Sequence, residues 1–228
     1  MDYESNVTTG SLIVPRTARY ARMGGAAEGI KQVWLVCHGY GQLAERFIRR
    51  FSVIDDGTRL IIAPEGLSRF YISRRSGPHS PEERVGASWM TREDRDSEIG
   101  DQVTYLDRVT AKVFGEIDRS RVRFVALGFS QGVAAVCRWA SASESPPDEI
   151  IAWAGEIPRD LLEARTRDRL ARAKLTVVVG THDPIADPAR TKAHKIELDA
   201  AGVRYRFIHF DGGHEIDGQV LREIAPGM

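Results

Sequence analysis

The sequence predicts an α/β chain built on a mostly parallel central sheet with helices on both faces. Short runs rich in β-branched and aromatic residues alternate with amphipathic stretches of helical length. That rhythm holds to the C-terminus without an evident linker, and 228 residues suit one such core, so residues 1–228 are expected to form a single domain. The composition, 42% hydrophobic and 28% charged, supplies enough apolar material to fill it.

Taken in order, Ser11–Val14 and Arg19–Met23 read as an initial antiparallel pair broken at Pro15. Gln32–Cys37 begins the buried strands, and Arg59–Ala63 follows, ended by Pro64. The rhythm then lapses. Residues 67–92 carry Gly, Pro, Ser and charge without a clear period, and such a stretch is either a loop or lid insertion or a surface excursion. From Asp94 to Ile117 the residues Ile99, Val103, Leu106, Val109, Val113 and Ile117 recur at three and four, the stripe of a long helix. Further strands are expected at Val122–Leu127, Ile150–Trp153, Leu175–Val179 and Tyr205–Phe210. Helices over 131–142, 160–172, 187–201 and 217–224 fill the gaps.

Charge and cysteine content exclude several function classes. Acidic and basic residues balance at 32 each, which gives no net pull toward nucleic acid or an anionic membrane. The two cysteines, Cys37 and Cys137, lie in apolar stretches and do not form a disulfide framework. Met1–Gly10 lacks the regions of a signal peptide, and no apolar run reaches membrane-spanning length, so the expected address is the cytoplasm. Neither a metalloprotease H-E-x-x-H nor a phosphate-cradling loop occurs, and no metal or other cofactor is expected.

Chemistry enters with Gly128-Phe129-Ser130-Gln131-Gly132, a G-x-S-x-G run where a strand meets a helix. Its glycines leave room for a sharp turn that exposes the serine hydroxyl in a strained backbone state. A hydroxyl is a poor nucleophile near neutral pH; it needs a base, and the base needs an acid to hold its tautomer. Downstream, Gly180-Thr181-His182-Asp183-Pro184 places Asp183 at the carboxyl end of a strand, where a plain turn aspartate is the competing reading. Asp211-Gly212-Gly213-His214 follows the last strand, and its glycines are read as freeing the backbone to bring the imidazole to the serine.

Competing residues fail on position. Asp187 reads as a helix N-cap, Asp211 immediately precedes the glycines, His194 reads as a helix-surface residue, and His209 belongs to a strand. His182 stays in reserve, and His38 reads as structural. The loop His38-Gly39-Tyr40-Gly41-Gln42 ends the first buried strand, and the backbone N–H groups of Tyr40 and Gln131 are the expected oxyanion donors.

With these motifs in place, residues 32–224 resemble the phospholipase/carboxylesterase branch of the α/β hydrolases, which includes acyl-protein thioesterases and small carboxylesterases. The matching runs are His38–Gly41, Gly128–Gly132, Gly180–Pro184 and Gly213–Ile216; Val133, Tyr40, Gln42 and the stretch 67–92 depart from the usual pattern. The resemblance implies ester or thioester cleavage without a cofactor. The expected reaction is acyl transfer through an acyl-enzyme, on a short-chain small-molecule ester or thioester, with Ser130, Asp183 and His214 as the machinery. Phe70, Tyr71, Trp89 and Met90 are the candidate pocket walls, with Trp89 first. Lysophospholipase or peptidase-like hydrolysis, or ligand binding without catalysis, are the alternatives. No nucleic-acid partner and no membrane insertion are expected, and a homodimer is an admissible assembly.

Overall fold

The computed structural model describes residues 7–25, 28–72 and 82–225. Seven strands form the main sheet: β1 (Tyr20–Gly24), β2 (Gln32–Cys37), β3 (Arg59–Pro64), β6 (Arg123–Phe129), β7 (Glu149–Trp153), β8 (Lys174–Gly180) and β9 (Arg206–Phe210). Their order across the sheet is β1-β3-β2-β6-β7-β8-β9, and every pairing except β1 with β3 is parallel. Two helices, α1 (Ala44–Ile48) and α6 (Gly218–Ile224), cover one face. On the other lie α2 (Arg95–Phe114), α3 (Gln131–Ala142), α4 (Ala164–Leu170) and α5 (Pro188–Ala200).

Strand periodicity explains the two cores. In β2, Val33, Leu35 and Cys37 point to the α2–α5 side, while Trp34 and Val36 point to the α1–α6 side. Because both faces are covered, the whole strand is buried and shows no polar alternation. The long amphipathic helix forms as its stripe predicts, burying Leu106, Val109 and Val113 and ending before Ile117, which is still buried. Asp187 caps α5 by accepting from the Ala189 and Arg190 amides, with Pro188 at the first helical position.

Three parts of the sequence reading are corrected. Ser11–Val14 forms no strand; it is exposed, and β1 instead pairs with the edge of β3, which joins it to a buried sheet rather than to an isolated two-strand ribbon. The helix expected over 160–172 is broken into a 3₁₀ turn at Arg159–Leu161 and the shorter α4; Arg138 pins Asp160 through bonds of 2.9 and 3.1 Å. The stretch 67–92 is not irregular throughout. It contains an antiparallel ribbon of β4 (Ser68–Tyr71) with β5 (Val85–Ser88), each strand too short to show a period, while 73–81 lies outside the described residues. The compact segment at 44–54, α1 followed by a 3₁₀ turn at Arg49–Ile54, has no counterpart in the sequence reading.

Candidate active site

The chain turns from β3 on one side of β2 to β6 on the other, so the strand order reverses at β2 and β6. In open parallel sheets the loops beyond the carboxyl ends diverge at such a reversal and leave a crevice. Ser130 follows β6 directly, and the His38–Gln42 loop follows β2. Asp183 follows β8, and His214 follows β9.

Ser130 sits at φ 54° and ψ −117°, a conformation that costs a non-glycine residue free energy and persists only where its surroundings impose it. Those surroundings are close. A Cβ on Gly128 would lie 2.4 Å from the Gly132 carbonyl oxygen, and one on Gly132 would lie 2.2 Å from that of Cys37. The glycines therefore let strand, turn and helix approach backbone to backbone, while the serine takes the positive φ. Its own N–H donates to the Trp153 carbonyl at 2.8 Å, which ties the turn to β7.

The structure brings the three candidate side chains into one hydrogen-bonded chain. Ser130 Oγ lies 3.0 Å from His214 Nε2, and His214 Nδ1 lies 2.7 Å from Asp183 Oδ2. The other carboxylate oxygen of Asp183 accepts from the Ile185 and Ala186 amides at 2.8 and 3.0 Å. Burial opposes ionisation of this carboxyl, yet these bonds and the His214 contact together hold it below its usual range. Asp183 thus stays an acceptor and fixes the His214 proton on Nδ1, leaving the Nε2 lone pair for the serine hydroxyl.

Gly212 and Gly213 keep negative φ, so their contribution differs from the backbone freedom read in the sequence. The need for close approach falls on Gly180, where a Cβ would lie 2.4 and 2.5 Å from the carbonyls of Gly212 and Gly213, and on Gly212, where one would lie 2.3 Å from the Phe210 ring; one on Gly213 would meet only the His182 carbonyl at 4.0 Å. Thr181 N–H donates to Phe210 O and His182 N–H to Gly212 O, both at 2.9 Å, locking the acid loop to the histidine loop. Trp153 Nε1–H reaches the Glu215 carbonyl at 2.7 Å and anchors the histidine loop to β7.

The amides of Tyr40 and Gln131 have no hydrogen-bond partner among the described residues. Gln131 also has a side-chain role that the sequence did not reveal: its amide bonds Ser88 Oγ, the Trp89 N–H and the Met90 carbonyl, stapling the elbow to the end of β5. His38 is structural as read. It is fully buried, accepts from the Gly66 amide on Nε2 at 3.0 Å, and contacts the Gly39 carbonyl through Nδ1. Burial lowers its pKa despite the opposing Gly39 bond. Neither buried cysteine offers a rival nucleophile, since burial pushes both thiols up, Cys137 to about 12.

A cavity of about 180 Å³ opens beside Ser130, and the four candidate wall residues do not line it. Trp89 is buried, donates its indole N–H to the His38 carbonyl at 2.8 Å and packs on the His38 ring. Phe70 stacks on exposed Tyr40, Tyr71 is half exposed, and Met90 contacts Arg138. The cavity instead lies between the loop after β7 and α5, lined by Ala154, Gly155, Val179, Ile185, His194 and Phe207 among others. His194 is therefore not a helix-surface residue. The signal was present, because Thr191, His194 and Leu198 share one helical face with the apolar Leu198 inward. His182 pairs with Asp211 at the surface, and no group of described residues has the make-up of a metal site.

A mostly parallel sheet sheathed on both faces, with a strained serine at the β6–α3 elbow and an acid and an imidazole beyond the ends of β8 and β9, defines the α/β-hydrolase fold. Solved structures share it. Esterase PE8 superposes at a TM-score of 0.66 with 19% identity, covering 92% of this chain and 97% of that one. The Bacillus cereus carboxylesterase gives 0.62 with 16% identity over 91% and 92%, and Zea mays acyl-protein thioesterase 2 gives 0.63 with 16% over 92% and 96%. A phospholipase/carboxylesterase from Dyadobacter fermentans gives 0.59 with 15% identity, covering 93% of this chain and 97% of that one, so these neighbours fall in the branch that the sequence motifs resemble. No family model matches the sequence, and no curated protein does. No helix of the described residues is long and apolar enough to cross a membrane.

Proposed function

We propose that the protein is a serine hydrolase that cleaves short carboxylic esters or thioesters through an acyl-enzyme. The observation that carries this reading is the continuous chain from Asp183 through His214 to Ser130, at 2.7 and 3.0 Å, on a serine held at positive φ. A serine kept for packing alone has no need of that strain or of those partners.

Ser130 Oγ attacks the carbonyl carbon while His214 Nε2 takes its proton. The carbonyl π-electrons move to oxygen, and the amides of Tyr40 and Gln131 receive the developing charge. Asp183 holds the resulting imidazolium. As the tetrahedral species collapses, the bond to the leaving alcohol or thiol breaks and Nε2 returns the proton to it. Water then attacks the acyl-enzyme with His214 again as base, releasing the acid and restoring the serine. The small cavity beside Ser130 favours a short chain, and the structural neighbours, a carboxylesterase and an acyl-protein thioesterase among them, agree with ester or thioester chemistry.

The test combines a fluorophosphonate probe with p-nitrophenyl acetate turnover. The native protein should be labelled at Ser130 and should hydrolyse the ester. Ser130→Ala should melt at the native temperature, take no label and lose at least about 10³-fold in kcat. Label on another residue, or most activity retained in Ser130→Ala, overturns the reading.

A further inference from the structure

His194 sits on the inward stripe of α5 and is 6% exposed, and it lines the same cavity as Ser130. The Ile157 backbone N–H donates to its Nε2 at 3.2 Å. A ring nitrogen that accepts must hold a lone pair, so the imidazole is neutral and its single proton is on Nδ1. Burial favours the neutral form too, against the opposing pull of Glu156 and Glu197. Among the described residues no acceptor meets the Nδ1–H.

The rest of the cavity offers that N–H little compensation. Val177, Val179, Ile185 and Phe207 give apolar walls, and the Thr191 hydroxyl proton is already donated to the Ala186 carbonyl at 3.1 Å. At the solvent-exposed edge Arg190 and Glu156 pair at 3.0 Å and cancel each other's charge. A plain alkyl chain filling the cavity would exclude water from the His194 N–H and leave it unpaired, whereas an oxygen acceptor in the chain would satisfy it.

We infer that His194 is a specificity-determining residue, and that the half of the substrate seated in this cavity is a short group carrying a neutral oxygen acceptor, such as an oxo or hydroxyl oxygen. A cavity of about 180 Å³ is small for a ligand site, and because Ser130 is one of its walls, an oxygen on a group seated there lies within a few bonds of the scissile carbonyl. The inference rests on Ser130 being the nucleophile.

The experiment measures kcat/KM on the native enzyme for matched esters. p-Nitrophenyl 4-oxopentanoate is compared with the pentanoate, and acetate esters of 4-hydroxybutan-2-one with those of butanol, each divided by its alkaline hydrolysis rate. The oxygenated member of at least one pair should be favoured about tenfold or more, and that ratio should fall toward one in His194→Phe. His194→Asn, which can place an amide N–H near the Nδ1 position, should restore part of it. Equal rates within both pairs for a native enzyme that turns over esters overturn the role of His194 and leave the serine mechanism standing. Absence of both turnover and fluorophosphonate labelling overturns the mechanism and this inference with it. If His194→Phe does not fold, His194→Ala takes its place: a ratio that falls toward one supports the role of His194, and one as large as in the native enzyme overturns it.

Discussion

At the scale of single residues, the site turns on which atom of each group holds a proton. Asp183 keeps a carboxylate below its ordinary value of 3.8, so it contributes stability above that value and loses it as pH falls through the lower folded one. The acid therefore stays charged in mildly acidic solution, and the stability it contributes should begin to fall only below about pH 4. Denaturant unfolding against pH, followed by circular dichroism, checks this, and an acid loss of stability that is identical in Asp183→Asn would remove Asp183 as its source. Asp183→Asn retains an oxygen for the Ile185 and Ala186 amides but presents an N–H2 to His214, which forces the ring into the wrong tautomer. We expect a folded protein with kcat lower by about 10⁴-fold.

Among elements, the join between α3 and β5 separates side-chain from backbone roles at one position. Read from the motif alone, Gln131 needs only its backbone N–H, and truncating its side chain should change little. The structure assigns that side chain three bonds to residues 88–90, where Trp89 in turn holds the His38 carbonyl. Gln131→Ala leaves the Trp89 amide unpaired and loosens the β2 loop that carries Tyr40. Stability should drop by about 1–3 kcal/mol, with a fall in kcat that exceeds any change in KM. Denaturant unfolding and steady-state kinetics measure both, and unchanged values in each would return Gln131 to a purely backbone role.

Across the whole molecule, the candidate site is assembled from four loops whose strands, β2, β6, β8 and β9, are separated in sequence by up to about 170 residues and aligned only by the sheet. The contact between Gly180 and the 212–213 backbone is where two of those loops set each other's position. Gly180→Ala would force a carbonyl away from 2.4 Å and carry His214 with it, whereas a Cβ on Gly213 meets only the His182 carbonyl at 4.0 Å. Gly180→Ala should therefore cost roughly 1–3 kcal/mol and about 10²-fold in kcat, and Gly213→Ala should cost little of either. Thermal melts and turnover of the two variants side by side decide it, and equal effects would mean that loop packing does not position the histidine.

What the sequence determined by itself is local in origin. Strand identity in β2 and β6–β9 followed from apolar runs covered on both faces, the long helix from its three–four stripe, and the cap at Asp187 from a side chain that bonds amides two and three residues ahead. The candidate residues Ser130, Asp183 and His214 stand out in the sequence because each follows a strand that the pattern already marked, and the fold brings the three side chains together. Tertiary structure alone decided the rest. β1 joined β3 because the partner for an edge strand lies elsewhere in the chain, and β4 with β5 stayed hidden because strands of four residues carry no period. The cavity lies on the face of α5 and not among the aromatic side chains of 67–92, of which Trp89 is buried with its N–H on the His38 carbonyl. His194, on a helix whose stripe shows only which way it faces, acquired its place beside Ser130 through the packing of α5 against β8 and β9.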